Sequence, residues 1–353
     1  MARSHDMTSG SIWRSLLGFS IPIMISNLVQ STYNAVDMLF VGRFTGTESL
    51  AAVSVCGPIL NVMIITLSGM SAGVLVVISG LLGAGDIKQA QDAAHTSVAL
   101  YALMAAVMTV LGLLFVPQIL RLVQTPAAAM PEAKRYLYTV FAGTVFTFGY
   151  NLIGALQRGL GNAAASMSFV IISSAANIAL DAVFIVWLGM GAFGAALGTV
   201  LSQVAAFVIG TVQFARGGAA LRLSARAVRF HKKHLKNILL FGVPTALNEV
   251  MVNLAMLTVS GVANSFGLAS SAAYGVGSRI NSLAIFTDGA MNQTMSAYAS
   301  QNIGAGRQKR ALEGLWKAII LSAGAALGTS LLVLGFASEF SACFDSDPAV
   351  IEQ

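Results

Sequence analysis

The sequence predicts an all-α polytopic membrane protein with two parallel-repeat helix lobes, six helices followed by the first three of a second six. Three observations carry that expectation. Only 10% of the 353 residues are charged and 56% are hydrophobic, with a mean hydropathy of +0.77. That is more apolar surface than a soluble domain of this length needs. Nine runs are long enough to cross a bilayer core roughly 30 Å thick. Finally, residues 17–94 return, weakly, about 221 positions later.

The runs lie near 14–40, 50–82, 92–116, 134–157, 164–187, 191–215, 235–265, 268–301 and 311–340. The first is too long for a cleaved leader and carries Asn27, Asn34 and Asp37 inside it. In the repeat, Pro22 of LGFSIPI is matched by Pro244 of LFGVPTA, and LAAVSVCGPI (50–59) by SAAYGVGSRI (271–280). GAGDIKQA (83–90) is matched by GAGRQKRA (304–311). These glycine runs follow no strand and lack the Lys-Ser/Thr that cradles phosphates, so they read as tight turns between long helices. Proline inside a helix removes a hydrogen bond, which makes Pro22 and Pro244 candidate kinks.

Six spans precede a basic loop, so both halves lie the same way up, the parallel-repeat plan of secondary transporters. The expected division is residues 1–215 as an N-lobe, 216–234 as a cytoplasmic connector and 235–353 as a partial C-lobe. Gln353 corresponds to about Ala133, where the fourth span of the first half begins. The expectation is therefore a C-terminally truncated chain whose complete second half holds three further spans. A true nine-span protein is the alternative.

Net charge is +6, but its distribution points away from nucleic acid. With a cytoplasmic N-terminus, fourteen of the twenty Lys/Arg fall on the inside, including Lys88, Arg158 and the cluster from Arg216 to Lys236. Arg43, Arg121, Lys134 and Arg135 fall outside. This asymmetry is the positive-inside rule and orients the chain. No aromatic or glycine-rich recognition element accompanies the basic loop. Cys56 and Cys343 read as small apolar filler rather than a disulfide or metal site.

Four acids lie away from loops: Asp37, Asp181, Glu249 and Asp288. A buried carboxylate costs about 2.5–3.5 kcal/mol on insertion scales, so each needs a partner, water or a function. Tyr33 and Asp37 are four residues apart on one helix face, as are Asn177 and Asp181. Thr199 follows Gly194, Gly198 and small alanines that permit close helix approach. Hard oxygens of this kind suit Na⁺, and two nearby carboxylates in low dielectric would equally share a proton. Spacing alone leaves both open.

NLVQSTYNAVDMLFVGR (27–43), LQRGLGNAAAS (156–166) and NIALDAVFIVWLGMGAFGAALGT (177–199), with the duplicated GAG turns, resemble the multidrug and toxic compound extrusion (MATE) transporters, most closely the bacterial type. The resemblance implies a twelve-helix antiporter with two six-helix lobes in the bacterial inner membrane, exporting organic cations against H⁺ or Na⁺ with no cofactor. It implies a multi-pass chain with a cytoplasmic N-terminus, in contact with membrane lipid and acting as a monomer. The family's cation-coupling roles carry over to Asp37, Asn177, Asp181 and Thr199, with Tyr33 beside them, and these four would hold Na⁺ if that is the ion. Asn151 is a further member of the set, and Glu249 and Asp288 match C-lobe acids that some members use.

Other functions compete with this one. A flippase of lipid-linked oligosaccharides, from the same superfamily, would show cations in its central cavity, for which only Arg279 and Lys317 are available. A major-facilitator transporter would carry a basic-acidic loop where GAGDIKQA stands. An integral-membrane enzyme would need histidines or a Ser/His pair within the spans, where only His95 lies near one end. A non-transporting truncated remnant is the last alternative.

Overall fold

The computed structural model describes residues 6–216, 221–267, 274 and 288–335. Its long elements are α1 (Ile12–Phe44), α2 (Thr47–Gly83), α3 (Ile87–Leu122), α4 (Met130–Gly159), α5 (Ala163–Asp181), α6 (Gly191–Arg216) and α7 (Lys232–Ser265). They are followed by α8 (helical residues 288–304) and α9 (Gln308–Gly335). Eight helices among the described residues are long and apolar enough to cross a membrane. The first part of the expected eighth span, with Arg279, lies outside the described residues, as does Cys343.

The helices overrun the apolar runs that announce them. At about 1.5 Å per residue, the 36 residues of α3 span far more than the hydrocarbon core, so polar turns at both ends extend the rods. Stops and starts are set locally. Gly85 (φ 72°) and Gly306 (φ 73°) turn the chain in the two GAG segments, in a left-handed conformation that suits glycine. Asp86 then caps α3, its carboxylate accepting from the Gln89 N–H at 2.9 Å, and Asn162 caps α5 by accepting from the Ala165 N–H at 3.1 Å. Neither Pro22 nor Pro244 breaks its helix, and Pro58 and Pro117 also lie inside helices.

α2 is the most enclosed of these eight helices, 67% of its most apolar stretch being buried, against 11% for α7 and α9. It packs on α4 and along α7, while α1 packs on α5, and α5 on α6. The α2–α7 contact is made by backbone. A Cβ on Gly69 would lie 2.7 Å from the Ala246 nitrogen, and one on Gly73 would lie 3.0 Å from the Gly242 nitrogen. A second cross-half cluster joins Leu16, Phe19 and Ile23 of α1 to Ala290, Met291 and Tyr298 of α8. The repeat maps α1 to α7 and α2 to α8, so each half sends its first helix against the second helix of the other.

Segment 221–231 lies across the start of α3. The Arg222 N–H donates to Gln91 Oε1 at 2.7 Å, the His231 N–H to Thr96 Oγ1 at 3.2 Å, and Lys233 Nζ to Gln89 Oε1 at 2.8 Å. Asp86, half-buried at this end of the bundle, has its carboxyl held below the usual range first by the Gln89 N–H bond, then by the Gln89 side chain.

Candidate functional site

At the end of the bundle away from segment 221–231, α1, α5 and α6 converge on two carboxylates. Asp181 is fully buried, and Asn177, one turn earlier on α5, is 1% exposed. Asp37, on α1, is half-buried, yet its Oδ1 is shut off from solvent. The charge of Asp37 acts on Asp181, and both reach the phenol of Tyr33. The structure thus brings Asp37, Asn177, Asp181 and Tyr33 into one neighbourhood.

Two local features fix the Asp181 carboxylate. A Cβ on Gly198 of α6 would collide with Asp181 Oδ1 and lie 3.5 Å from its Cγ, so the missing side chain is the space the carboxylate fills. Immediately after Asp181, α5 widens into a π-helical turn, Ala182–Trp187, an element that often marks functional sites. It ends with the Leu188 N–H on the Val183 carbonyl at 3.0 Å and the Met190 N–H on the Phe184 carbonyl at 2.9 Å. Thr199, half-buried and next to Gly198, is therefore in register with Asp181, but its hydroxyl makes no hydrogen bond to that carboxylate.

Buried polar atoms in folded proteins are nearly always paired. Among the described residues, nine side-chain nitrogens or oxygens are buried without a partner, and five belong to this cluster: Asp37 Oδ1, both polar atoms of the Asn177 amide and both oxygens of Asp181. Leaving such an atom unsatisfied costs about 1–3 kcal/mol, so packing alone does not account for the arrangement. Two carboxylates and an amide oxygen can share a proton or surround a hard cation. No group of three or more His, Cys, Asp or Glu able to hold a metal occurs among the described residues, so a transition-metal centre is not what these donors resemble. A small polar cavity, with room for about one water molecule, continues from Asn177 between Gln30, Tyr33, Tyr150, Ser174 and Gln203.

The remaining expected residues are placed elsewhere. Asn151 turns its amide back to the Thr147 carbonyl at 2.8 Å and supplies none of the unpartnered atoms. Glu249, on α7, accepts from Ser68 Oγ of α2 at 2.6 Å, which makes it a partnered acid at the α2–α7 contact. Asp288 is exposed at the start of the described part of α8. Tyr136, buried on α4, lies within electrostatic reach of both carboxylates, and nothing in the sequence marks it, because one tyrosine in an apolar helix carries no signal.

Gly198→Ala tests the steric statement. The added methyl should displace the Asp181 carboxylate and weaken protection of the purified protein by the coupling ion in a thermal-shift titration. Gly57→Ala, with nothing within 4 Å of the new carbon, should leave it unchanged.

A helical membrane bundle with an acid pair inside its first six helices fits a transporter, and comparison gives the family. The MatE family model matches the chain in two stretches, residues 22–183 and 244–353, and the protein belongs to that family, whose members are transporters and not enzymes. It is 30% identical over 319 residues to the probable multidrug resistance protein YoeA of Bacillus subtilis (strain 168), which covers 87% of this chain and 68% of that protein. It is 29% identical over 308 residues to the probable multidrug resistance protein YpnP of the same strain, covering 87% and 69%. Among solved structures it is similar to a crystal structure of MATE in complex with MaD3S, with a TM-score of 0.93, 26% identity, and coverage of 100% of this chain and 80% of that one.

Proposed function

We propose that this protein is a secondary active antiporter of the bacterial inner membrane, exporting organic cations in exchange for H⁺ or Na⁺. The observation that carries the proposal is the set of buried, unpartnered oxygens on Asp37, Asn177 and Asp181. A proton or Na⁺ arriving there would satisfy them, so its binding free energy is available to bias the bundle between conformations. Thr199 and Tyr33 stand beside the site as the further ligand and hydrogen-bonding group. Membership of the MatE family and the multidrug-resistance names of YpnP and YoeA support a drug-like cargo.

In this scheme the N-terminus and segment 216–234 are cytoplasmic, residues 1–215 and 235–353 act as two lobes, and the ion loads while the outer face is open. Inward return of a cation is driven by about 2.3 kcal/mol per charge per 100 mV of membrane potential. Glu249, held by Ser68 between α2 and α7, is a second group whose protonation would act on lobe packing. An oligosaccharide flippase would need cations facing the cavity. Lys317 instead lies 5.8 Å over the ring of Trp13.

Efflux of a fluorescent organic cation from cells carrying the complete gene, with the H⁺ and Na⁺ gradients collapsed one at a time, tests the proposal. Efflux should stop with one gradient only. Efflux that ignores both, or none at all despite confirmed expression, would overturn it.

A further inference from the structure

We propose that residues 6–10 form a latch on the cytoplasmic face: the tail ahead of α1 is clamped by the α8–α9 turn of the other half, and its release accompanies opening of that face. This rests on the orientation given above. The tail and its clamp are about 300 positions apart in sequence, yet consecutive backbone groups of the tail are held. The Met7 N–H donates to Gln301 Oε1 at 2.8 Å, and the Met7 carbonyl accepts from Asn302 Nδ2 at 3.2 Å. The Thr8 carbonyl accepts from Arg307, and the Ser9 carbonyl from Arg310 Nη2 at 2.9 Å. Hydrogen bonds to an ionised donor are the strong kind.

The tail is also shaped to fit. Asp6 accepts from the Thr8 N–H at 2.8 Å, from the Thr8 hydroxyl at 2.6 Å and from the Ser9 hydroxyl at 2.9 Å. The Met7 side chain is 1% exposed, in the cluster that joins α1 to α8 and α9. Beside the latch the ends of α2 and α8 touch backbone to backbone. A Cβ on Gly83 would lie 2.7 Å from the Gln301 carbonyl carbon, and one on Gly304 would lie 2.9 Å from that of Gly80. A seam of glycines has no side chain that could swing as a gate, so it opens only if the halves separate, and the tail's bonds to residues 301–310 tie the start of α1 to the other half.

The internal repeat supplies an independent argument. The segment ahead of α7 docks on Gln89, Gln91 and Thr96, just past the first GAG turn. The tail ahead of α1 docks on residues 301–310, around the second. Each half therefore straps its leading segment over the turn of the other. Segment 221–231 is tethered at both ends by the chain.

Lys88 and Lys309 are exposed, occupy equivalent places in the two halves, and can carry spin labels once Cys56 and Cys343 are replaced by alanine. Pulsed dipolar spectroscopy on the reconstituted protein then reads the separation of the two turns. Arg307→Gln with Arg310→Gln should raise the ratio of separated to closed molecules about tenfold, equivalent to about 1.4 kcal/mol. Lysine at both positions should restore part of the closed population. An unchanged distance distribution in the glutamine variant overturns the latch. Should that variant fail to insert, Gln301→Leu removes the acceptor of the Met7 N–H and must give the same shift, or the latch fails. Variant and parent are compared at one fixed ion concentration and without cargo, so the difference between them reads the latch and not transport. A shift without gradient-dependent efflux therefore counts against the antiport proposal alone, and efflux without a shift counts against the latch alone.

Discussion

Asp181→Asn should abolish ion-coupled transport while leaving the protein as stable as before, or more so. Both Asp181 oxygens are buried and accept no hydrogen bond from the protein, and the side chain is fully enclosed. Replacing the carboxylate by an isosteric amide thus breaks no contact and removes a buried charge, whose uncompensated presence is costly. What is lost is a charged ligand for a proton or Na⁺. A hydrogen bond to a charged group contributes about 1.5–3 kcal/mol, so ion affinity should fall by about 10- to 150-fold. Thermal unfolding of purified protein and gradient-driven efflux in vesicles, measured on the same preparation, check both halves of the expectation. A melting temperature that falls along with transport would make Asp181 a structural residue. Asp37→Asn should act in the same direction, with a smaller stability change because the side chain is only half-buried.

Gly73→Val should have the opposite signature, with stability and transport lost together. A Cβ at residue 73 would lie 3.0 Å from the Gly242 nitrogen and 3.1 Å from its Cα. These are backbone atoms, so no rotamer change relieves the overlap and α2 must move away from α7. Overpacking of a core contact costs about 1–3 kcal/mol, and this contact also joins the first half to the second. The melting temperature should drop by several degrees, and efflux should fall with the amount of folded protein. Gly57→Ala is the matched control in the same helix, where the new carbon meets nothing.

Much of this was legible in the sequence. The membrane spans show because apolar runs need no partner to be recognised, and the duplication shows because Pro22, the GAG turns and their echoes keep their spacing. Asn177 and Asp181 stand out because an acid in an apolar helix is expensive wherever it ends up. Gly198 reads only as a small residue, since nothing local reveals that the space it leaves is filled by a carboxylate one helix away. The π turn after Asp181 leaves no mark in the run AVFIVW, and Tyr136 looks like any aromatic in a span. Glu249 reads as an inner acid in isolation, but Ser68 on another helix gives it a partner. The tail escapes sequence reading altogether, because Met7 and Arg310 are 303 positions apart and neither is unusual where it stands.

The crossing of first helices between halves has a consequence during synthesis. Ile23 of α1 joins the cluster that holds Met291 only after roughly 270 more residues have been made, on the order of 15–50 s at ribosomal rates of about 5–20 residues per second. For that interval the face of α1 that ends against α8 is covered by lipid or by the insertion machinery, and assembly of the first half finishes with a lipid-displacement step. Membranes whose acyl chains leave that face slowly should delay maturation of the protein without altering its final stability.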